Sequence, residues 1–220
     1  MKPYYGPHNG ITIYHGDCRD VLLDGAWFGV DAVVTDPPYG IDYGNAGGFS
    51  AEHGWASRRG AAEWDKERPS REVFSAILAL SVPTVIWGGN YFTDYLPPRM
   101  GWISWDKGQR NFSLADFELA WTSEQKAARA IVYPRGKAQK DGRYHPTQKP
   151  LFVMEQCIHY LERSSGKHLG RVLDPFMGSG TTLVAAKRLG KSCVGIEREE
   201  RYCEIAAKRL AQEALPLGVA

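Results

Sequence analysis

The chain has 220 residues, enough for one domain with a substantial core and short for two. Hydrophobic residues make up 43% and charged residues 24%, a globular balance that excludes disordered and fibrous classes. A net charge of +2 does not by itself announce a nucleic-acid partner. In chain order, Ile11 to His15 alternates like a short strand, and Cys18 to Leu23 can follow as a helical turn. Asp31 to Thr35 is apolar and β-branched, a buried strand whose ladder must end at Pro37 and Pro38, so Asp36 sits at a strand's carboxyl end.

Residues 40 to 69, rich in glycine and charge, have no periodicity and predict a long mobile loop. Val73 to Leu80 has helical spacing, and Thr84 to Trp87 is a strand closed by Gly88 and Gly89, completing a β-α-β unit. Trp102 to Trp105 and Phe117 to Trp121 are further strand candidates. Between Lys126 and Lys149 stand seven cations and one acid, either a solvated loop or a phosphate-tracking surface. Pro150 can open a helix with a buried stripe from Leu151 to Leu161. The last units are a strand Val172 to Asp174, a glycine turn, a helix Thr181 to Leu189, a strand Ser192 to Ile196 ending on Glu197, and an amphipathic helix through Leu210. Alternating strands and helices predict an α/β domain spanning 1–220, with a doubly wound, mostly parallel sheet. No stretch approaches the roughly 18 apolar residues of a spanning helix, which predicts a cytoplasmic protein with no membrane partner. Cys18, Cys157, Cys193 and Cys203 stand without a Cys-x-x-Cys pair, which argues against zinc and disulfides, and no metal is expected.

Strand, glycine turn, helix, strand and acid together form a site for a nucleoside-containing cofactor. Glu197, about nineteen residues past Gly178, stands where a carboxylate accepts hydrogen bonds from ribose hydroxyls. A phosphate-binding P-loop is disfavoured because Gly180 is followed by Thr181 and Thr182, with no lysine. A dinucleotide loop is disfavoured because Leu183 replaces its third glycine. Asp174 would repel a pyrophosphate and welcome an ammonium, so the ligand should carry positive charge.

Asp36-Pro37-Pro38-Tyr39 suits a flat, uncharged substrate whose amino group must be made nucleophilic. The lone pair of a base amine is delocalised into the ring, and two acceptors about 3 Å from the nitrogen can localise it. Asp36 and the Pro37 carbonyl offer those acceptors, Pro38 stiffens the turn, and Tyr39 offers a stacking face. A base within a duplex must be extruded to reach such a site.

Thr35-Asp36-Pro37-Pro38-Tyr39-Gly40 and Leu173-Asp174-Pro175-Phe176-Met177-Gly178-Ser179-Gly180-Thr181-Thr182 resemble motifs of the amino-directed DNA methyltransferases of bacteria and their phages. His15-Gly16-Asp17-Cys18 is similar to the opening motif, and His145-Pro146-Thr147-Gln148-Lys149-Pro150 to the motif ahead of the cofactor strand. With the catalytic motif first, the chain resembles the circularly permuted beta group, over about Ile11 to Leu210. The resemblance implies a Rossmann-like class I fold, S-adenosylmethionine as cofactor and S-adenosylhomocysteine as product. It also implies a catalytic set of Asp36, Pro37, Pro38 and Tyr39. The implied cofactor set is Asp17, near the adenine, Cys18, Lys149, near the methionine carboxylate, Asp174, Phe176, Gly178, Ser179, Gly180, Thr181, Thr182, and Glu197 on the ribose.

Many relatives carry a large target-recognition region before the His-Pro-Thr-Gln-Lys-Pro motif, whereas here only about twenty residues lie there. DNA recognition is therefore expected from a short basic segment, about 123–145, with Arg135, Lys137, Lys140 and Arg143, and from Arg58, Arg59 and Trp64 in the 40–69 loop folding over a flipped base. Asp36 at the head of the motif favours N6-adenine over N4-cytosine, because N4-cytosine members more often have serine there. More distant readings are an RNA or protein-amide methyltransferase and a silent DNA-binding module. Analogy with the group adds a homodimer and a cognate restriction endonuclease as partners to consider beside DNA.

Overall fold

In a computed structural model of the chain, the described residues are 2–23, 29–41, 65–110, 115–138 and 148–212. Most of the expected 40–69 loop, including Arg58, Arg59 and Trp64, lies outside them, as do Lys140, Arg143 and residues 145–147. The strands are β1 (Tyr5–His8), β2 (Ile11–His15), β3 (Ala32–Thr35), β4 (Thr84–Trp87), β5 (Trp102–Asp106), β6 (Phe117–Thr122), β7 (Arg129–Val132), β8 (Arg171–Asp174) and β9 (Ser192–Glu197). The helices are α1 (Cys18–Leu23), α2 (Arg71–Ala79), α3 (Arg135–Ala138), α4 (Leu151–Ser165), α5 (Thr181–Arg188) and α6 (Glu200–Gln212), with a 3-10 turn at Gly89–Tyr91.

The strands form one sheet in the order β1-β2-β9-β8-β3-β4-β6-β5-β7. From β2 to β4 all neighbours pair in parallel, while β1 and β6 run against theirs. The period-2 alternation of a strand sends successive side chains to opposite faces, and here both faces are covered. Ala32, Val34, Val85, Trp87, Val172 and Cys193 pack under α4, α5 and α6, whereas Val33, Ile86, Leu173 and Val194 pack under α1 and α2. This two-sided burial is why the strands read as continuous apolar runs.

Helix boundaries follow backbone chemistry. Pro150 occupies the N-cap of α4 in an extended conformation, where its missing N–H costs nothing. Gly166 ends the helix at φ 68°, and its N–H donates to the Glu162 carbonyl at 2.9 Å. Two edge strands and a short helix escape the sequence pattern. Tyr5–His8 contains Gly6 and Pro7 and lies at one sheet edge, while Arg129–Val132 lies at the other, where β5 is its one strand partner among the described residues, and is largely exposed. The basic segment expected to be a recognition loop therefore contains an edge strand and the short α3.

The placement of β3 beside β8 decides where a ligand can sit. From β3 the chain passes through α2 to β4 on one side, and from β8 through α5 to β9 on the other. At such a reversal the connections diverge beyond the strands' carboxyl ends and leave a crevice. The expected doubly wound, Rossmann-like sheet is what the structure contains. Ile158 of α4 is fully buried against it, so Ile158→Ala should cost about 2–5 kcal/mol in urea unfolding. A loss below about 1 kcal/mol would mean that this helix face does not form the core.

Candidate active site

The two central strands end in carboxylates. Thr35 Oγ1 donates to Asp174 Oδ1 at 2.7 Å, and the Phe176 N–H donates to the same oxygen at 3.1 Å. Asp174 is 2% exposed. Burial pushes its carboxyl up to about 6, against the opposing hydrogen bonds from Thr182, Thr35 and the Phe176 amide. Hydroxyls and an amide hold this group, so ionising it in a dehydrated site is costly until a cation arrives.

The glycine turn that follows is tied to β9. The Gly178 N–H donates to Glu197 Oε2 at 3.0 Å, and the Glu199 N–H to Oε1 at 2.7 Å. Burial raises the Glu197 carboxyl, and these amides oppose the shift. A Cβ at Gly180 would lie 2.7 Å from that of Ala206, so this glycine allows close packing on α6. Buried Arg209 of α6 donates to the Ser179 carbonyl at 2.6 Å and to Thr181 Oγ1 at 3.2 Å, which fixes the turn from behind. Asp17 pairs with Arg19 at 2.9 Å, and burial pushes the Cys18 thiol up to about 12.

At the end of β3 the chain forms a clamped turn. Asp65, 2% exposed, accepts the N–H groups of Tyr39 at 2.7 Å and Gly40 at 3.0 Å. Tyr39 stacks on Tyr91 with centroids 4.9 Å apart, and its hydroxyl donates to Asp36 Oδ1 at 2.7 Å. Gly88, at φ 69° after β4, leaves room for that ring, because a Cβ there would overlap it.

Lys149 enters this turn from a distant part of the chain. Its ammonium reaches Asp36 Oδ2 at 2.7 Å, Glu118 Oε2 at 3.0 Å and the Tyr39 hydroxyl at 3.1 Å, which uses all three donors. It also lies 5.5 Å from the Tyr39 ring centroid and 5.4 Å from that of Trp87. The family resemblance implies a place near the methionine carboxylate; in the structure these partners tie Lys149 to the Asp-Pro-Pro-Tyr turn, which lines the same cavity as Asp174. Burial acts against its charge, but Asp36 and Glu118 outweigh that and hold its pKa well above the ordinary value. Burial raises Asp36, and Lys149 is the largest opposing influence. The Asp36 side chain keeps 22% exposure and lines a cavity.

That cavity, about 1030 Å³, runs from Asp17, Cys18, Phe176, Gly178 and Glu197 to Asp36, Pro37, Pro38, Tyr39 and Lys149. Trp105, Phe117 and Glu118 also line it, as do Asp174, Ser179, Thr181 and Thr182. Of the expected DNA-binding residues, Arg135 reaches the lining, and Lys137 is exposed on α3. Sequence reasoning missed Asp65, Glu118 and Arg209, whose partners are fixed by topology rather than by local pattern. Among the described residues, no group of three or more His, Cys, Asp or Glu side chains is placed to hold a metal ion.

Residues 79–208 match the family model N6_N4_Mtase, described as DNA methylase. The chain belongs to this DNA methylase family. It is 29% identical to the type II methyltransferase M2.LlaDCHI of Lactococcus lactis subsp. cremoris, over 97% of this chain and 93% of that protein. It is likewise 29% identical to the type II methyltransferase M2.DpnII of Streptococcus pneumoniae, over 96% and 93%. The crystal structure of an M1.HpyAVI-SAM complex superposes with a TM-score of 0.56 at 26% identity, covering 90% of this chain and 99% of that one. The chain is thus an amino-directed DNA methyltransferase of bacterial type, with the class I fold of those enzymes.

The shift at Asp174 has a stability consequence. Its pKa is raised from an ordinary 3.8 to about 6 in the fold, so the folded state binds the proton more tightly and stability falls as pH rises through that window. Asn at 174 keeps an acceptor for Thr35 and Phe176 without the charge. The methylase without ligand should therefore lose less stability from acid to neutral pH as Asp174→Asn than as wild type, read by urea unfolding across the window. Identical pH dependence in the two proteins would contradict this assignment.

Proposed function

We propose that the methylase transfers the methyl group of S-adenosylmethionine to the N6 amino group of adenine in DNA and releases S-adenosylhomocysteine. One observation carries the reading: a continuous cavity has a cofactor-type carboxylate and glycine turn at one end and Asp36 with the Pro37 carbonyl at the other. The cofactor fits the residues present. Asp174 is a buried carboxylate that a cationic ligand would relieve, and the chemistry of Glu197 suits ribose hydroxyls. The SAM complex of the M1.HpyAVI neighbour supports the same choice.

When bound, S-adenosylmethionine supplies a sulfonium methyl whose S–C electron pair returns to sulfur as the new N–C bond forms. The protein's part is positional and electrostatic. Asp36 and the Pro37 carbonyl accept the two N–H bonds of the amine and free its lone pair for attack. Asp36 then takes the proton that the methylated nitrogen must lose. Tyr39 and Tyr91 offer stacking faces for an extruded base, and Trp105 and Phe117 wall the pocket.

Adenine is favoured by aspartate at the head of the motif. Arg135 at the cavity lining and Lys137 on α3 are suited to DNA phosphates, and Arg58, Arg59, Lys140 and Arg143 belong to the same proposed contact set. The type II methyltransferases among the relatives make a role beside a restriction endonuclease the natural setting.

The test is nucleoside mass spectrometry of unmethylated DNA incubated with S-adenosylmethionine and either wild-type or Asp36→Ala protein. N6-methyladenine with wild type, reduced at least about a hundredfold in Asp36→Ala, is the expected result. N4-methylcytosine would overturn the choice of base, and no methylated base would overturn the reaction.

A further inference from the structure

Glu118 lies on β6, two strands from β3 in the sheet, yet its carboxylate meets the group that neutralises Asp36. Oε2 is 3.0 Å from the Lys149 ammonium, and Oε1 is 2.7 Å from that of Lys107. Four charges of alternating sign, Asp36, Lys149, Glu118 and Lys107, therefore form one chain of contacts that begins at the Asp36 turn. An ammonium bound to Asp36 alone would keep it ionised but would also hold its oxygens most strongly. An ammonium shared with a second carboxylate binds each less tightly.

We propose that Glu118 is a positioning residue that draws the Lys149 ammonium partly away from Asp36, so that the carboxylate Lys149 keeps ionised remains free enough to accept the substrate amine. The proposal rests on the reading of Asp36 as the amine acceptor and assigns the device that keeps it fit for that task. Among the described residues, the groups facing Asp36 are Tyr39 from its own turn, Lys149 ahead of α4, Cys157 of α4, Glu118 from β6 and Asp174 from β8, with Lys107 after β5 acting through Glu118. Lys149 and the Tyr39 hydroxyl favour the charged carboxylate, and Glu118 disfavours it. Removing Lys149 and neutralising Glu118 must therefore move the ionisation of Asp36 in opposite directions.

The experiment is single-turnover methylation of an adenine-containing duplex, with cofactor in excess, across pH for wild type, Lys149→Met, Glu118→Gln and Lys107→Met. Activity needs ionised Asp36, so the acidic limb of each profile reports its apparent pKa. Lys149→Met should move that limb to higher pH. Glu118→Gln should move it to lower pH while cutting the plateau rate about tenfold or more, with S-adenosylmethionine affinity within about twofold of wild type. Lys107→Met leaves Glu118 wholly to Lys149 and should move the limb upward, an independent arm if a buried variant fails to fold. A merely structural Glu118 would lower the rate without moving the limb, and that result, or an upward shift in Glu118→Gln, would overturn the proposal. A wild-type protein that methylates no DNA would instead overturn the reading of Asp36 beneath it.

Discussion

The hydrogen bond from Thr35 Oγ1 to Asp174 Oδ1 joins residues 139 positions apart and closes the sheet at the point where its winding reverses. Parallel strands cannot be neighbours without long crossovers, so this pairing forces the helices away to either side. The gap above the carboxyl ends of β3 and β8 is what remains. The order of motifs along the chain is therefore of little consequence to the chemistry. What matters is that an acid at the end of each strand faces the same crevice, one beside the glycine turn and the other at the Asp-Pro-Pro-Tyr turn.

The charged groups at the Asp36 end of the crevice are held by one another. Taking Asp36, Lys149 and Glu118 out of water has a large desolvation cost, repaid by short contacts that exploit the low local dielectric. Such a cluster is weak as a source of stability and strong as a way to fix geometry. Asp174 is the complement: a buried carboxylate held by hydroxyls and an amide, ready for a positive ligand. On the proposed function, one end of the cavity welcomes a cation and the other accepts N–H bonds.

Much of this was legible in the sequence because two-sided burial writes itself as apolar, β-branched runs such as Ala32 to Thr35 and Val172 to Leu173. Residues at the ends of those runs, Asp36, Asp174 and Glu197, could be singled out because prolines, glycines or the run's own end marked their position. Edge strands lack this signature. Arg129–Val132 is largely exposed and carries Arg129 because β5 is its one strand neighbour among the described residues, and it hid inside a basic segment. Asp65 and Glu118 were hidden for another reason: their partners, the Tyr39 and Gly40 amides and the Lys149 ammonium, are distant in the chain and meet them only after the sheet and its crossovers form.

The central claim is that the cavity brings the cofactor's sulfur and the target amine together at Asp36. The most direct measurement is a crystal structure with S-adenosylhomocysteine and a duplex containing the target adenine. The expected result is an extruded base with its amino nitrogen about 3 Å from Asp36 and from the Pro37 carbonyl, and the cofactor sulfur in line behind the position of the transferred methyl. A base held elsewhere, or a cofactor whose sulfur points away from Asp36, would contradict it.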